Sequence, residues 1–175
     1  ESNNNTIDPL SDEAIRESEY LIQLFGENPV AMAYSENWEV KSNGLITLCD
    51  KIKNLKDKNT QKDALQSMLP LFHKMFSSKL KATYVQAADQ LIKLIDELKE
   101  NGTFSGKNSF PRKMVRPLLN LSLLKLSNSN THINKASMKF VRWASKADKT
   151  LMVEVAQFAL KPPQKQRIPI MEMNK

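Results

Sequence analysis

Only one cysteine, Cys49, stands among the 175 residues, so no internal disulfide can staple this chain. Cys49 lies on the apolar side of a helical pattern and is expected to be buried and reduced. Glycine is scarce as well, with 4 residues against the roughly 7% of an average protein. That disfavours a turn-rich sandwich and leaves no glycine-rich loop to cradle a phosphate. The two histidines, His73 and His132, are far apart and have no acid or thiol at metal-ligand spacing. No metal or other cofactor is expected, and His73 reads as a helix residue near an apolar face. No Ser-His-Asp order stands out, so no catalysis is expected. No segment sustains an apolar–polar alternation, so no strand is expected. There is no apolar run long enough to span a bilayer and no secretory leader at residue 1. The expectation is a soluble, cytosolic chain.

What is present is charge, unevenly spread. The net formal charge is +7. Residues 1–40 hold nine acids and the single base Arg16, a net −8, while residues 41–175 carry ten acids and 25 bases, a net +15. A basic body suits an acidic partner. With 41% hydrophobic residues the chain can also build a core, and its length suits one domain.

The apolar residues recur with helical period. Residues 1–10 read as a loose lead-in. Ser11, followed by Asp12 and Glu13, starts a helix that Gly26 can end, and Val30–Tyr34 is a short apolar piece. Trp38 stands at the mouth of a helix with apolar residues at Leu45, Leu48, Cys49, Ile52 and Leu55, reaching about Asn54. After a charged turn at 56–62, Thr60 is the expected cap of one helix through Leu65, Met68, Leu69, Phe72, Met75 and Phe76, bent at Pro70. A break at 77–81 precedes a helix from Val85 to Leu98, stopped by Asn101-Gly102. Residues 103–111 form a loop, and a Leu-rich helix runs from Val115 to Leu126. A turn at 127–131 leads to a helix through Ile133, Phe140 and Ala144. A last helix at 149–160 ends before Pro162-Pro163, followed by an extended tail.

These helices pair, and the pairs repeat. Pro70-Leu71 and Pro117-Leu118 are 47 residues apart; Val40, Val85 and Ile133 follow at 45 and 48. Such a period, with two helices per unit, matches HEAT-type repeats. The expected fold is all-α, HEAT-like helical hairpins stacked as a short solenoid in one domain spanning 11–175. Its repeats would fall at about 11–56, 60–101 and 110–146, with the start of a fourth at about 147–161 and a tail at 162–175. Equivalent turns of a solenoid line up along one edge. That edge should carry Trp38, Lys41, Lys79, Lys81, Asn130, His132 and Lys135. On spacing alone Trp38 reads as a packed helix-start anchor. Its polar surroundings, Glu39, Lys41, Ser42 and Asn43, point instead to an exposed contact. A basic edge could also track nucleic acid or hold an acidic protein segment. Against nucleic acid, only 5 of the 26 basic residues are arginines, and aromatics do not interleave with the cations.

An aromatic at the first turn, a cation three residues on and basic turns in successive repeats resemble a TOG domain, the HEAT-repeat array that binds αβ-tubulin through its intra-repeat loops. Pro9-Leu10-Ser11, Leu24-Phe25-Gly26-Glu27, Val30-Ala31-Met32-Ala33-Tyr34-Ser35 and Leu160-Lys161-Pro162 resemble the single TOG domains of ciliary-tip centrosomal proteins. The resemblance implies a non-catalytic tubulin- or microtubule-binding module of the cytoskeleton, at the cilium tip or centriole, with other ciliary-tip proteins as further partners. It implies that Trp38 is the aromatic of the first tubulin-contacting loop and Lys41 its following cation, that Lys79 and Lys81 lie in the second loop, and that 128–135 is the third. The third loop departs from the family: His132 and Asn134 stand where arginines are usual, with Lys135 just after. TOG domains have about six repeats, so a front portion, facing β-tubulin, or an unusually short domain is expected.

Overall fold

The computed structural model describes residues 9–104 and 110–160, which form helices α1 (Asp12–Phe25), α2 (Glu27–Tyr34), α3 (Trp38–Lys53), α4 (Lys58–Ser67), α5 (Leu69–Ser77), α6 (Lys81–Glu100), α7 (Arg112–Leu124), α8 (Thr131–Ala147) and α9 (Lys149–Leu160), with no strand among the described residues. Local chemistry sets most of the ends. The Ser11 hydroxyl accepts from the Ala14 N–H at 3.2 Å, and Asp12 and Glu13 follow at the positive end of α1. Gly26 ends α1 with φ +86°, a conformation in which side chains are strained, and its N–H returns to the Ile22 carbonyl. Gly102, with φ +76°, does the same after α6.

Three expectations about the helices are corrected. Asp57, not Thr60, caps α4: its carboxylate accepts from both the Thr60 N–H and the Thr60 hydroxyl at 2.7 Å. The stretch from Leu65 to Phe76 is also not one bent helix. Pro70 has no N–H to donate, and the chain breaks at Met68, which closes α4 and opens α5 with Pro70 in its first turn. The helix before the third turn ends at Leu124 rather than Leu126. The expected stop at Pro162-Pro163 and the tail lie outside the described residues.

The helices stack in two layers. α1 packs on α4, α5 on α7, and α7 on α9; in the second layer α3 packs on α6 and α6 on α8. α2 joins α1 to α3, while α5–α6 and α7–α8 cross between the layers. This is an all-α, HEAT-like solenoid. Between the layers lies a continuous apolar core. At its centre Phe76 meets Tyr84 and Phe140 edge-on, with ring centroids 5.4 and 5.0 Å apart. Tyr84 is fully buried, and its hydroxyl is matched by Ser122 at 3.1 Å and Ser137 at 2.8 Å, so one polar atom in the core ties α6, α7 and α8 together.

The far edge of the stack, where one hairpin follows another, is stitched by Gln61. Its buried amide donates to the Lys53 and Leu55 carbonyls at 3.1 and 2.8 Å, and its carbonyl oxygen accepts from the Thr103 hydroxyl. Between α8 and α9 the same work falls to Asp148. It accepts from Thr150 and Leu151 N–H and takes a two-pronged contact from Arg112, closest at 2.7 Å. The Arg112 bond above all, with the backbone N–H groups, holds the Asp148 carboxyl below its ordinary range. A carboxyl with a depressed folded pKa stabilises above its unfolded pKa of about 3.9, and that contribution is lost as pH falls through the folded value. Asp148→Asn keeps a capping oxygen but loses the charge. It should cost about 1 kcal/mol near neutrality, the low figure reflecting an Arg112 that is half exposed. Urea melts of the two proteins should converge in acid.

Candidate functional site

The helices of the second layer are parallel and held in register by side-chain pairs. Ser42 on α3 accepts from Gln86 on α6. On the other flank Asp89 meets Lys139 at 2.8 Å, and Asp96 accepts from the Trp143 indole at 2.9 Å, joining α6 to α8. Equal steps along parallel helices bring the N-termini of α3, α6 and α8 to one edge. The turns before them, 35–37, 78–80 and 125–130, form a ridge. The positive ends of three helix dipoles point there together.

The turns are built alike. Asn37 caps α3 through its side-chain oxygen, which accepts from Glu39 and Val40 N–H. Asn130 caps α8 in the same way, accepting from His132 and Ile133 N–H. The Asn130 oxygen is thereby committed to the helix, leaving its amide N–H groups outward. Asn134 is likewise engaged, donating to the Leu126 carbonyl across the third turn.

Trp38 is the first residue of α3 and is 50% exposed. Lys79, Lys81, His132 and Lys135 are exposed; Lys41 is half-buried in a groove that it shares with Glu36 and Ser78. His132 lines a second groove together with Lys81, Ala82 and Val85, so the second and third turns present one surface. Glu36 and Glu39 stand beside Trp38, so the first turn is of mixed charge and the cationic part of the ridge begins at Lys79. His73, expected near an apolar face, is exposed instead.

Two further ridge residues emerge from the structure. Leu80, between Lys79 and Lys81, is 61% exposed, giving the second turn an apolar contact comparable to Trp38. An apolar residue in sequence reads as core, so no signal marked it. Lys125 is a strut. Its ammonium donates to the Ser78 carbonyl at 3.1 Å and sits 5.0 Å from the centre of the Tyr84 ring, locking the third turn to the second. Burial pulls its pKa down from the ordinary lysine value. Cys49 lies on the core side of α3, and burial chiefly pushes its thiol up to about 12, which leaves it unreactive. Among the described residues no group of His, Cys, Asp or Glu is arranged to hold a metal ion, and no helix is long and apolar enough to cross a membrane.

A two-layer solenoid that gathers the turns inside its helix pairs on one ridge, headed by an exposed aromatic, defines a TOG-type helical repeat domain. The chain belongs to the family described as "Centrosomal protein CEP104, TOG domain", whose profile matches residues 15–142. Mouse "Centrosomal protein of 104 kDa" is 33% identical over 91 residues, half of this chain and 10% of the mouse protein. Two solved structures share the fold. One, of a CEP104 TOG domain, has TM-score 0.66 at 22% identity; the other, of the TOG domain of human Cep104, has 0.67 at 19%. Each match covers 79% of this chain and 54% of the solved chain.

Proposed function

We propose that this chain is a tubulin-binding module of a centrosomal or ciliary-tip protein, engaging αβ-tubulin or microtubules, on the β-tubulin side, through the ridge of turns. It is read as a binding module rather than an enzyme, built of three helical hairpins and the start of a fourth. The observation that carries the reading is Trp38, half exposed at the rigid start of a capped helix and followed along the ridge by Leu80 and the cations Lys79, Lys81 and Lys135. An aromatic that is already held in place loses little conformational entropy on docking and supplies most of the affinity. The cations meet tubulin's acidic surface and act mainly on encounter rate and orientation. Lys41 and His132 flank these groups, and the outward amide of Asn130 adds a neutral donor at the third turn.

Reversing Lys79, Lys81 and Lys135 together to glutamate should weaken tubulin binding by about tenfold or more and flatten its dependence on salt. All three are exposed, so stability should change by no more than about 0.5 kcal/mol per site. Sedimentation with tubulin over a salt series, beside thermal melts, reads both. The control reverses Lys62, Lys113 and Lys149, which are exposed away from the ridge. Equal losses in the two triple variants would reduce the effect to net charge and sink the ridge. Duplex DNA bound as tightly as tubulin would sink the partner.

A further inference from the structure

We propose that the outer face of α8, which meets the ridge at Lys135 and runs away from it, is a second docking surface that takes an acidic amphipathic helix of another protein. α8 contains no acidic residue, and Lys135, Lys139, Arg142 and Lys146 recur on it at steps of three and four. That spacing puts all four on one side of the helix. All four are exposed, and together with Met138 they line one shallow groove. The strip from Lys135 to Lys146 is about 16 Å long, about three turns of a helix.

A charged helix face usually needs no explanation, because a solvated face mixes its signs. This one does not. Like charges one turn apart destabilise a helix, and here Lys135 faces Lys139 and Arg142 faces Lys146. The neighbouring helix shows the ordinary solution: Arg112 and Arg116 of α7 each meet a carboxylate, on Asp148 and Glu154. On α8 only Lys139 has a carboxylate, that of Asp89, among the described residues. The acids missing from the strip are what a partner would supply.

Met138 is 44% exposed in the middle of the strip and adds a place for one apolar side chain. Nucleic acid fits less well. Only one of the four cations is an arginine, and the groove's aromatic, Trp143, is already packed against Phe110 and Phe140 at 5.6 and 5.4 Å, with its indole N–H on Asp96. A ring already engaged by three neighbours is a poor stacking platform for a base. A second copy of this chain fits less well: on the exposed side of its first helix, α1, Asp12 and Glu19 flank Ile15, two acids for the strip's four cations.

The test uses a fluorescein-labelled helical peptide of about twelve residues, about 18 Å long, with glutamates spaced like Lys135, Lys139, Arg142 and Lys146 and one leucine on the same face. Fluorescence anisotropy should show binding by the whole chain that weakens with salt and is absent for a peptide with glutamine in place of glutamate. Arg142→Glu with Lys146→Glu should reduce affinity at least tenfold, and Met138→Ala by a fewfold. Lys79→Glu with Lys81→Glu, on the ridge, should leave it within twofold. The reversal turns the like-charge contact of Arg142 with Lys139 into an attractive one but leaves positions 142 and 146 alike in sign, so the melting temperature should stay near that of the parent, and a thermal melt shows that lost binding is not unfolding. Equal losses in the α8 and ridge variants would overturn the proposal in favour of net charge. So would tighter binding of duplex DNA than of the peptide, or sedimentation showing that the strip pairs copies of this chain.

Discussion

Valine in place of Gly44 should destabilise the domain by more than about 3 kcal/mol, at the severe end for a single substitution. Gly44 lies in mid-helix in α3 and is buried against α2. A Cβ there would fall well inside contact distance of the Ala33 backbone nitrogen and the Met32 carbonyl carbon. Those are backbone atoms of α2, so no side-chain rotation relieves the overlap, and the two helices must part. Elsewhere a glycine inside a helix costs about 1 kcal/mol relative to alanine. Here that cost is offset by the close packing it allows. Gly44→Ala therefore combines a propensity gain of about 1 kcal/mol with a steric loss, for a net cost of about 1–3 kcal/mol. Asn43→Ala, one residue away and exposed, should be neutral or slightly stabilising. Urea denaturation of the three variants reads the comparison; a Gly44→Ala protein as stable as the parent would mean that α2 can move away freely. The consequence reaches the ridge, since α2 and α3 flank the turn that presents Trp38. A protein that survives Gly44→Ala folded should bind tubulin more weakly although the substitution lies more than a helical turn from Trp38.

The layering of this fold was legible in the sequence because it rests on local signals. Caps and stops such as Ser11, Gly26 and Asn101-Gly102 act within a few residues, and the three-and-four spacing of apolar residues in α6 and α8 shows which side each buries. What was not legible depends on competition or on distance. Both Asp57 and Thr60 are good caps, and the carboxylate prevails by accepting both the N–H and the hydroxyl of Thr60. The apolar stripe runs unbroken across Met68, hiding the break that Pro70 imposes. The ridge was visible as a set of turns, but the pairs that align it, Ser42 with Gln86 and Asp89 with Lys139, join residues 44 and 50 apart. Leu80 and Lys125 exchange the roles that their chemistry suggests: the leucine is exposed and the lysine half-buried. Each follows from where the neighbouring hairpin lies, which no local pattern records.

Trp38→Ala should separate binding from stability. A tryptophan buried as a core anchor would cost roughly 3–5 kcal/mol of folding free energy when truncated. Trp38 is 50% exposed, and the core beneath α3 is filled by Leu45, Leu48, Cys49 and Ile52. Half a tryptophan side chain against the surface leaves a loss of under about 1 kcal/mol, within the range of ordinary surface sites. The Asn37 cap and the start of α3 do not involve the indole, so the turn should keep its shape. Tubulin affinity is the sensitive quantity. An exposed aromatic at the head of a docking ridge behaves as a hot spot, and its removal should cost on the order of 2–4 kcal/mol, about thirtyfold or more in Kd. Trp38→Phe should recover part of this, since the smaller ring still buries apolar area. Leu80→Ala, in the next turn, should cost less, about 1 kcal/mol, because a leucine offers less surface. Denaturant melts and tubulin-binding isotherms on the same preparations decide the matter. A large stability loss with unchanged affinity in the folded fraction would return Trp38 to the core and remove the aromatic from the ridge. Unchanged stability with unchanged affinity would leave the cations alone to hold tubulin, and binding should then vanish at ionic strengths where the Debye length falls to about 3 Å.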